Sequence, residues 1–348
     1  MYTSVMRTWS FTLCVVIASA LCALVAGAAR AQLQPELSLN AKRRLFPIVG
    51  AGVRAIKSGP DGRYYLLTLH AVLVFNTTGT QIGEIPPPPV NGKKNPDALN
   101  YAEAFDVGAD GRIYVADRGA NALRVFTAAG ARVLSVSFPS PMGIVALSGG
   151  EFAGATSTAK HLISVFDMSG TEVRTFGDPV DLAETPESNQ YLSIARLATD
   201  TASNIYLAFT NFPEPTVRKY DRFGYAALET VLDTPDFAPA AQAIRREVKR
   251  VDAKGGPLHL KQRISAVGVD PEGQTVWLAI GDELLRFDRD GKFVMRYTLY
   301  MADGSHFEPN SILIERDRIL LSTNLQGIYE FSRPDKDPAL APPAEKHF

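Results

Sequence analysis

An aromatic residue followed four positions later by glycine recurs five times along this chain. The pairs are Phe75 and Gly79, Phe126 and Gly130, Phe166 and Gly170, Tyr220 and Gly224, and Phe287 and Gly291. Phe331 ends a sixth segment of the same kind, but Asp335 stands where the glycine should be. Repeats 40 to 67 residues apart, each built of short strands, are typical of a β-propeller. The chain is therefore predicted to be an all-β protein with six propeller blades.

The clearest repeat begins at Phe105 and contains four strand-like segments. Asp110-Gly111 separates the first two segments, and glycine tolerates the positive φ that such tight turns require. The segments are rich in β-branched and aromatic residues, which suit half-buried strands. The first half of the third repeat is weaker, because Gly149-Gly150 replaces the Asp-Gly turn. Blades are predicted near residues 51–85, 103–137, 141–176, 193–231, 264–299 and 309–332.

The segment from Tyr114 to Phe126 resembles the NHL repeat of six-bladed propellers, which also include gluconolactonase-like proteins. The spacing from Asp117 to Phe126 matches that repeat without a gap, whereas Ala120 and Ala122 replace the usual Asn and a frequent Arg. The resemblance extends over roughly residues 50 to 332 and is close only in the second blade. It implies the fold but not the activity, because the family spans lyases, lactonase-like hydrolases, RNA-binding modules and protein-binding scaffolds.

The sixth blade lacks an outer strand, since residues 332–335 after Phe331 contain a proline and few strand-forming residues. We predict that an N-terminal segment, residues 32–49, supplies it and removes an open sheet edge. Two stretches of that segment are candidates, Leu37–Leu39 and Arg44–Phe46.

The first 31 residues have the features of a cleaved secretory signal. Arg7 precedes an apolar stretch over residues 11–26, and Ala29-Arg30-Ala31 is an A-x-A cleavage site. We expect a secreted or periplasmic protein cleaved near Ala31; an uncleaved membrane anchor is the alternative. Both cysteines, Cys14 and Cys22, lie in this segment, so the predicted mature chain has no disulfide and no thiolate nucleophile.

The charge of the chain is nearly balanced, with 36 basic and 37 acidic residues. This balance argues against a nucleic-acid partner, which usually requires a basic surface. Residues 335–348 are rich in proline without an apolar period, and we predict a disordered tail there.

A helix is predicted near residues 238–253, within the longest insertion between blades. Phe237, Ala241, Ile244, Val248 and Val251 follow a spacing of four and three residues, which places them on one helical face. We expect this face to pack on the propeller. A second interpretation is that the basic residues beside it bind an anionic membrane or a partner, the candidates being Arg245, Arg246, Lys249 and Arg250.

Two groups of residues raise the question of a divalent cation. Asp181, Glu184 and Glu187 lie in one insertion, where they bind calcium or form a solvated acidic loop. Lactonase-like relatives hold a divalent cation in the pore with Glu, Asn and Asp, and amidating-lyase relatives use histidine-bound zinc. The resemblance therefore makes four residues candidates for a pore calcium or zinc site: Asp106, His306, Glu308 and Asn310.

From these observations we expect a propeller that binds a protein, peptide or glycan through one loop face. The alternative is a metal-dependent lactonase-like hydrolase or lyase with its cation in the pore. No cofactor fingerprint or nucleophile motif in the sequence decides between a scaffold and an enzyme.

Overall fold

A computed structural model describes residues 36–89 and 95–336 as six sheets of four antiparallel strands, with one additional strand on the fifth sheet. The predicted signal and nearly all of the predicted tail lie outside the described residues. Two N-terminal strands, β1 (Glu36–Asn40) and β2 (Arg43–Leu45), precede the first blade.

The other strands follow from the innermost to the outermost strand of each blade. Blades 1 and 2 are β3 (Ala55–Ser58), β4 (Tyr64–Leu67), β5 (Val72–Phe75), β6 (Gln81–Ile85), β7 (Ala102–Val107), β8 (Ile113–Asp117), β9 (Ala122–Phe126) and β10 (Arg132–Ser137). Blades 3 and 4 are β11 (Pro141–Ala146), β12 (Phe152–Thr156), β13 (Ile163–Phe166), β14 (Glu172–Phe176), β15 (Ala195–Thr199), β16 (Ile205–Phe209), β17 (Thr216–Tyr220) and β18 (Ala226–Val231). Blades 5 and 6 are β19 (Ile264–Val269), β20 (Thr275–Ile280), β21 (Glu283–Asp288), β22 (Phe293–Tyr300), β23 (Ser311–Ile314), β24 (Arg318–Thr323) and β25 (Gly327–Ser332).

The innermost strands form a closed ring around a central channel. Each of β3, β7, β11, β15, β19 and β23 contacts the next, and β23 contacts β3 again. This arrangement confirms the predicted six-bladed β-propeller.

The repeated glycines end the third strand of each blade in the same way. All five have positive φ, between 77° and 96°. In blade 3, Gly170 donates its N–H to the carbonyl of Asp167 at 3.0 Å. The Asp167 side chain accepts from the N–H groups of Ser169 and Thr171, which fixes the turn. The aromatic residue before the turn is buried in every blade, so the pair joins a core position to a left-handed turn position.

The N-terminus closes the ring, as predicted, and the second candidate stretch supplies the missing outer strand of blade 6. Strand β2 pairs antiparallel with β25, where Arg44 lies opposite Tyr329. Strand β1 pairs in parallel with β22, where Leu39 lies opposite Leu299, and adds a fifth strand to blade 5. The sequence presented the two stretches as alternatives, but the chain uses one in each of the last two blades.

The weak first half of blade 3 forms a fully buried strand, β12. Its small residues are explained by close packing, since a Cβ on Gly154 would overlap the Leu123 side chain of blade 2. Low strand propensity here is the consequence of a tight contact between blades.

Two α-helices lie in the insertions on either side of blade 4. Helix α2 (Ala238–Lys254) confirms the prediction, and its buried residues are Ala241, Ile244, Val248 and Val251. Helix α1 (Pro186–Leu192) was not predicted; it begins at Thr185, whose side chain caps the N–H of Ser188. Both helices contribute to one apolar cluster with the core between blades 3 and 4.

Candidate functional site

The face of the ring at which the innermost strands begin carries the connections between blades. Because the four strands of each blade alternate in direction, the outermost strand returns to this face before the chain enters the next blade. The three long insertions, around residues 86–101, 177–194 and 232–263, therefore surround the same end of the channel. We call this end the channel mouth.

Asp117, the last residue of β8, positions one edge of the channel mouth. Asp117 is fully buried, and its carboxylate accepts from the backbone N–H groups of Asn100 and Tyr101 at 3.1 and 3.0 Å. It also pairs with Arg124 at 3.3 Å. These contacts fix the segment that enters β7, which places Tyr101 and, within the strand, Glu103 at the mouth.

A three-residue ion bridge crosses the channel mouth. The Glu103 carboxylate accepts from Arg54 of the blade 1 segment at 3.0 Å and from Arg196 of blade 4 at 2.9 Å. Arg54 also donates to the Tyr101 hydroxyl at 3.1 Å, and its guanidinium lies 4.7 Å from the centre of that ring. Two guanidinium groups thus share one carboxylate, which leaves an excess of positive charge in this group of side chains.

The seam between blades 6 and 1 contributes an amide to the same mouth. The Asn310 side chain donates to the carbonyl of Val53 at 2.9 Å and accepts from the Ser322 hydroxyl at 2.6 Å. It also contacts the exposed Asn324 side chain. Together with the ion bridge, these amides line a cavity of about 340 Å³ at the end of the channel, which we call the mouth cavity.

A second cavity of about 510 Å³ lies beside the first and shares Arg196, Asn310 and Asn324 with it. We call it the side cavity; its other cations are Lys261 and Arg263, which precede β19. Within the described chain, the buried Nε of Arg263 has no hydrogen-bond partner, and the same holds for the Nε atoms of Arg54 and Arg196.

The environment of Arg263 is unusual for a cation. Its guanidinium lies 5.5 Å from the centre of the Phe237 ring, at the start of α2. Burial lowers the pKa of Arg263, and the negative charges of Glu214 and Glu283 oppose that effect. A partly desolvated cation without an acceptor is costly, and an anion in the side cavity would reduce this cost.

The four candidate pore residues do not form one site. Asp106 lies further down β7, about 10 Å along the strand from Glu103, where it pairs with Lys57 at 3.0 Å and accepts from the Ala146 N–H. His306 is exposed beside the outer strand of blade 5, where it contacts Asp282 and the Tyr300 ring. Only Glu308 and Asn310 border the same cavity, the side cavity.

No group of three or more His, Cys, Asp or Glu side chains suited to a metal ion occurs among residues 36–89 and 95–336. The acidic insertion is partly helical, and Glu187 belongs to the first turn of α1. Asp181 and Glu184 precede that helix.

The basic residues of α2 divide into two kinds. Arg245 pairs with Glu214 at 2.8 Å, and Arg250 pairs with Glu247 at 2.7 Å. Arg246 and Lys249 are exposed. Internal pairs therefore neutralise half of the predicted basic patch. None of the helices in the described part of the chain is long and apolar enough to cross a membrane.

The comparison with known proteins identifies the fold. A streptogramin B lyase aligns with a TM-score of 0.53 and 13% identity, over 81% of this chain and 94% of the lyase. The virginiamycin B lyase of Staphylococcus aureus aligns with a TM-score of 0.51 and 12% identity, over 83% of this chain and 97% of that enzyme. This chain is a six-bladed β-propeller. The Cps50 (Swd1) β-propeller domain of Myceliophteria thermophila gives a TM-score of 0.50 with 12% identity, over 84% and 99% of the two chains.

Identities this low carry the fold and no activity. No protein-family model matches the propeller, and no curated protein matches its sequence. The channel mouth therefore has to be interpreted from its own residues.

Proposed function

We propose that this propeller is a secreted or periplasmic binding protein that takes an acidic ligand at the channel mouth. The observation that carries the proposal is the surplus of cations around the two cavities. The cavities are lined by four cationic side chains, Arg54, Arg196, Lys261 and Arg263, and by two carboxylates, Glu103 and Glu308. Lys57 is not part of the surplus, since Asp106 neutralises it.

The geometry of these groups favours a carboxylate-bearing ligand. Guanidinium groups bind carboxylates through paired, charge-assisted hydrogen bonds. Glu103 already makes such bonds with Arg54 and Arg196, so these two guanidinium groups are positioned to hold a carboxylate. Arg263 offers unused donors at a partly buried position.

The metal-dependent alternative has less support from the side-chain positions. Asp106 and His306 each have an internal partner away from the side cavity, and Glu308 and Asn310 alone provide too few ligand oxygens for a hard cation.

Binding of small acids and their neutral analogues tests the proposal. We expect galacturonate and N-acetylglutamate to bind at low salt in calorimetry, and galactose and N-acetylglutamine not to bind. Replacing Arg54 or Arg196 with Gln removes a charge-assisted bond worth about 1.5–3 kcal/mol, so affinity should fall about tenfold or more. The affinity should also fall as salt screens the charges.

The matched control is Arg289→Gln. Arg289 is exposed in a turn at the opposite end of blade 5, and its nearest carboxylate, Asp290, is 3.7 Å away. The proposal is wrong if the neutral analogues bind as well as the acids, or if Arg289→Gln weakens binding as much as Arg54→Gln.

A further inference from the structure

The mouth cavity and the side cavity meet at one boundary. Arg196, Asn310 and Asn324 line both cavities. A ligand long enough to pass this boundary would contact both cavities at once. We call the combined space the trough.

The trough has a cationic group on each side of its boundary. In the mouth cavity, Arg54 shares the Glu103 carboxylate with Arg196. In the side cavity, the buried Nε of Arg263 has no hydrogen-bond partner in the described chain, and Lys261 is exposed. A ligand with one acidic group would satisfy only one of these two positions.

We infer that the ligand is an oligomer of acidic sugars, with one carboxylate in each cavity. This inference rests on the proposed function and specifies its ligand class. Between the cations the trough is lined by amide and hydroxyl side chains, Asn310, Asn324, Gln262 and Ser265. Asn310, Gln262 and Ser265 already hydrogen-bond within the chain, so the exposed Asn324 is the amide best placed to contact a hydroxyl-rich chain. At the far end the Tyr101 ring is 37% exposed and held by Arg54, so it provides a fixed aromatic face for a sugar ring.

A peptide fits these features less well. Peptides are usually held by apolar pockets for anchor side chains or by addition to a free sheet edge. The side chains that distinguish the trough are guanidinium, ammonium and amide groups, and it has one exposed aromatic ring at its rim, Tyr101.

Chain length is the variable that tests the inference. Calorimetry on the full chain at low salt would compare galacturonate, its dimer and its tetramer with tetraglutamate and a neutral tetrasaccharide. We expect the uronate tetramer to bind at least tenfold more tightly than the monomer. Arg263→Gln should remove this advantage, so that the tetramer binds no more than about twofold more tightly than the monomer to the same variant.

Lys261→Gln is the second variant, since Lys261 is exposed and its loss is compatible with folding. It should reduce the length advantage as well, and Arg289→Gln should not. Two outcomes would overturn the inference and leave the proposed function intact. One is equal affinity for the uronate monomer and tetramer, and the other is tight binding of tetraglutamate without tight binding of the uronate tetramer. Absence of binding by every acidic probe would overturn both.

Discussion

At the scale of the residue, turn glycines are required for two separate reasons, which Gly111 of the Asp-Gly turn and Gly291 of the aromatic–glycine pattern separate. Gly111 and Gly291 have nearly the same backbone angle, φ 76° and 77°. A Cβ on Gly111 would meet nothing within 4 Å, whereas one on Gly291 would overlap the Thr230 hydroxyl and lie 2.7 Å from the Leu228 side chain.

We therefore expect different costs for the same substitution. Gly111→Ala should lower the free energy of unfolding by about 1–2 kcal/mol, from backbone strain alone. Gly291→Ala should cost clearly more, because the contact between blades 4 and 5 has to open as well. Urea unfolding of the two variants measures the difference; equal losses would show that Gly291 is required for its backbone conformation alone.

The residues of the mouth were difficult to find from the sequence. Arg54 and Arg196 lie outside the aromatic–glycine pattern, and Glu103 is separated from Arg196 by 93 positions. Nothing local marks such a bridge, because the closure of the ring brings its members together. The position of Asn310 at the mouth follows from the sequence, because it stands directly before an innermost strand, which is where the mouth begins. For Asp106 and His306 the residue type indicates a possible ligand but not the position of the side chain, and both have internal partners.

At the scale of the element, the closing strand is held by more than backbone pairing. The Glu330 carboxylate on β25 accepts from Arg43 of β2 at 2.9 Å and from Arg318 of β24 at 2.8 Å. Burial alone would raise the pKa of Glu330, but the hydrogen bonds and charges of the two arginines outweigh it and lower the pKa below its ordinary value of 4.5.

This shift predicts a pH-dependent contribution to stability. A carboxyl group with a lower pKa in the folded state stabilises the fold above its unfolded pKa, and the contribution is lost as the pH falls through the folded pKa. Glu330→Gln should reduce the free energy of unfolding by about 1–3 kcal/mol at pH 7. The difference from the unmodified chain should shrink below pH 4.5.

Urea titrations at pH 7 and at acidic pH measure this difference. Glu172→Gln is the control, since Glu172 is exposed on the outer strand of blade 3 and should show a small effect at both values. A constant difference across the pH range would mean that Glu330 contributes by packing and not by its charge.

The helices show where element prediction succeeds and where it fails. Helix α2 has a long apolar stripe, and all of its predicted core positions are buried. Helix α1 has seven residues, too few for a period to appear, and its acidic residues suggested a solvated loop. Its capping residue Thr185 and the following Pro186 were the local features that could have indicated a helix start.

At the scale of the whole molecule, the ring depends on residues that precede its first blade. The turn spacing predicted the number of blades and the need for closure, because each blade is a local unit. It could not decide between the two N-terminal stretches, since both have the alternation of a strand and both find an open edge. The structure resolves this by pairing β1 with blade 5 and β2 with blade 6.

The two closing strands should therefore contribute in steps. A chain that starts at Ala41 lacks β1 and loses the buried Leu39, so it should fold with a reduced free energy of unfolding. A chain that starts at Pro47 also lacks β2 and Phe46, whose ring packs 4.9 Å from Phe75. The edge of β22 is open in both chains, but only the shorter chain also exposes β25 and lacks the strand that closes the ring, and open edges promote association. Relative to a chain starting at Gln32, size-exclusion chromatography should show a monomer for the Ala41 start and aggregates for the Pro47 start. Urea unfolding should rank the chains in the same order, and an unchanged midpoint for the Pro47 start would mean that the ring closes without its N-terminal strands.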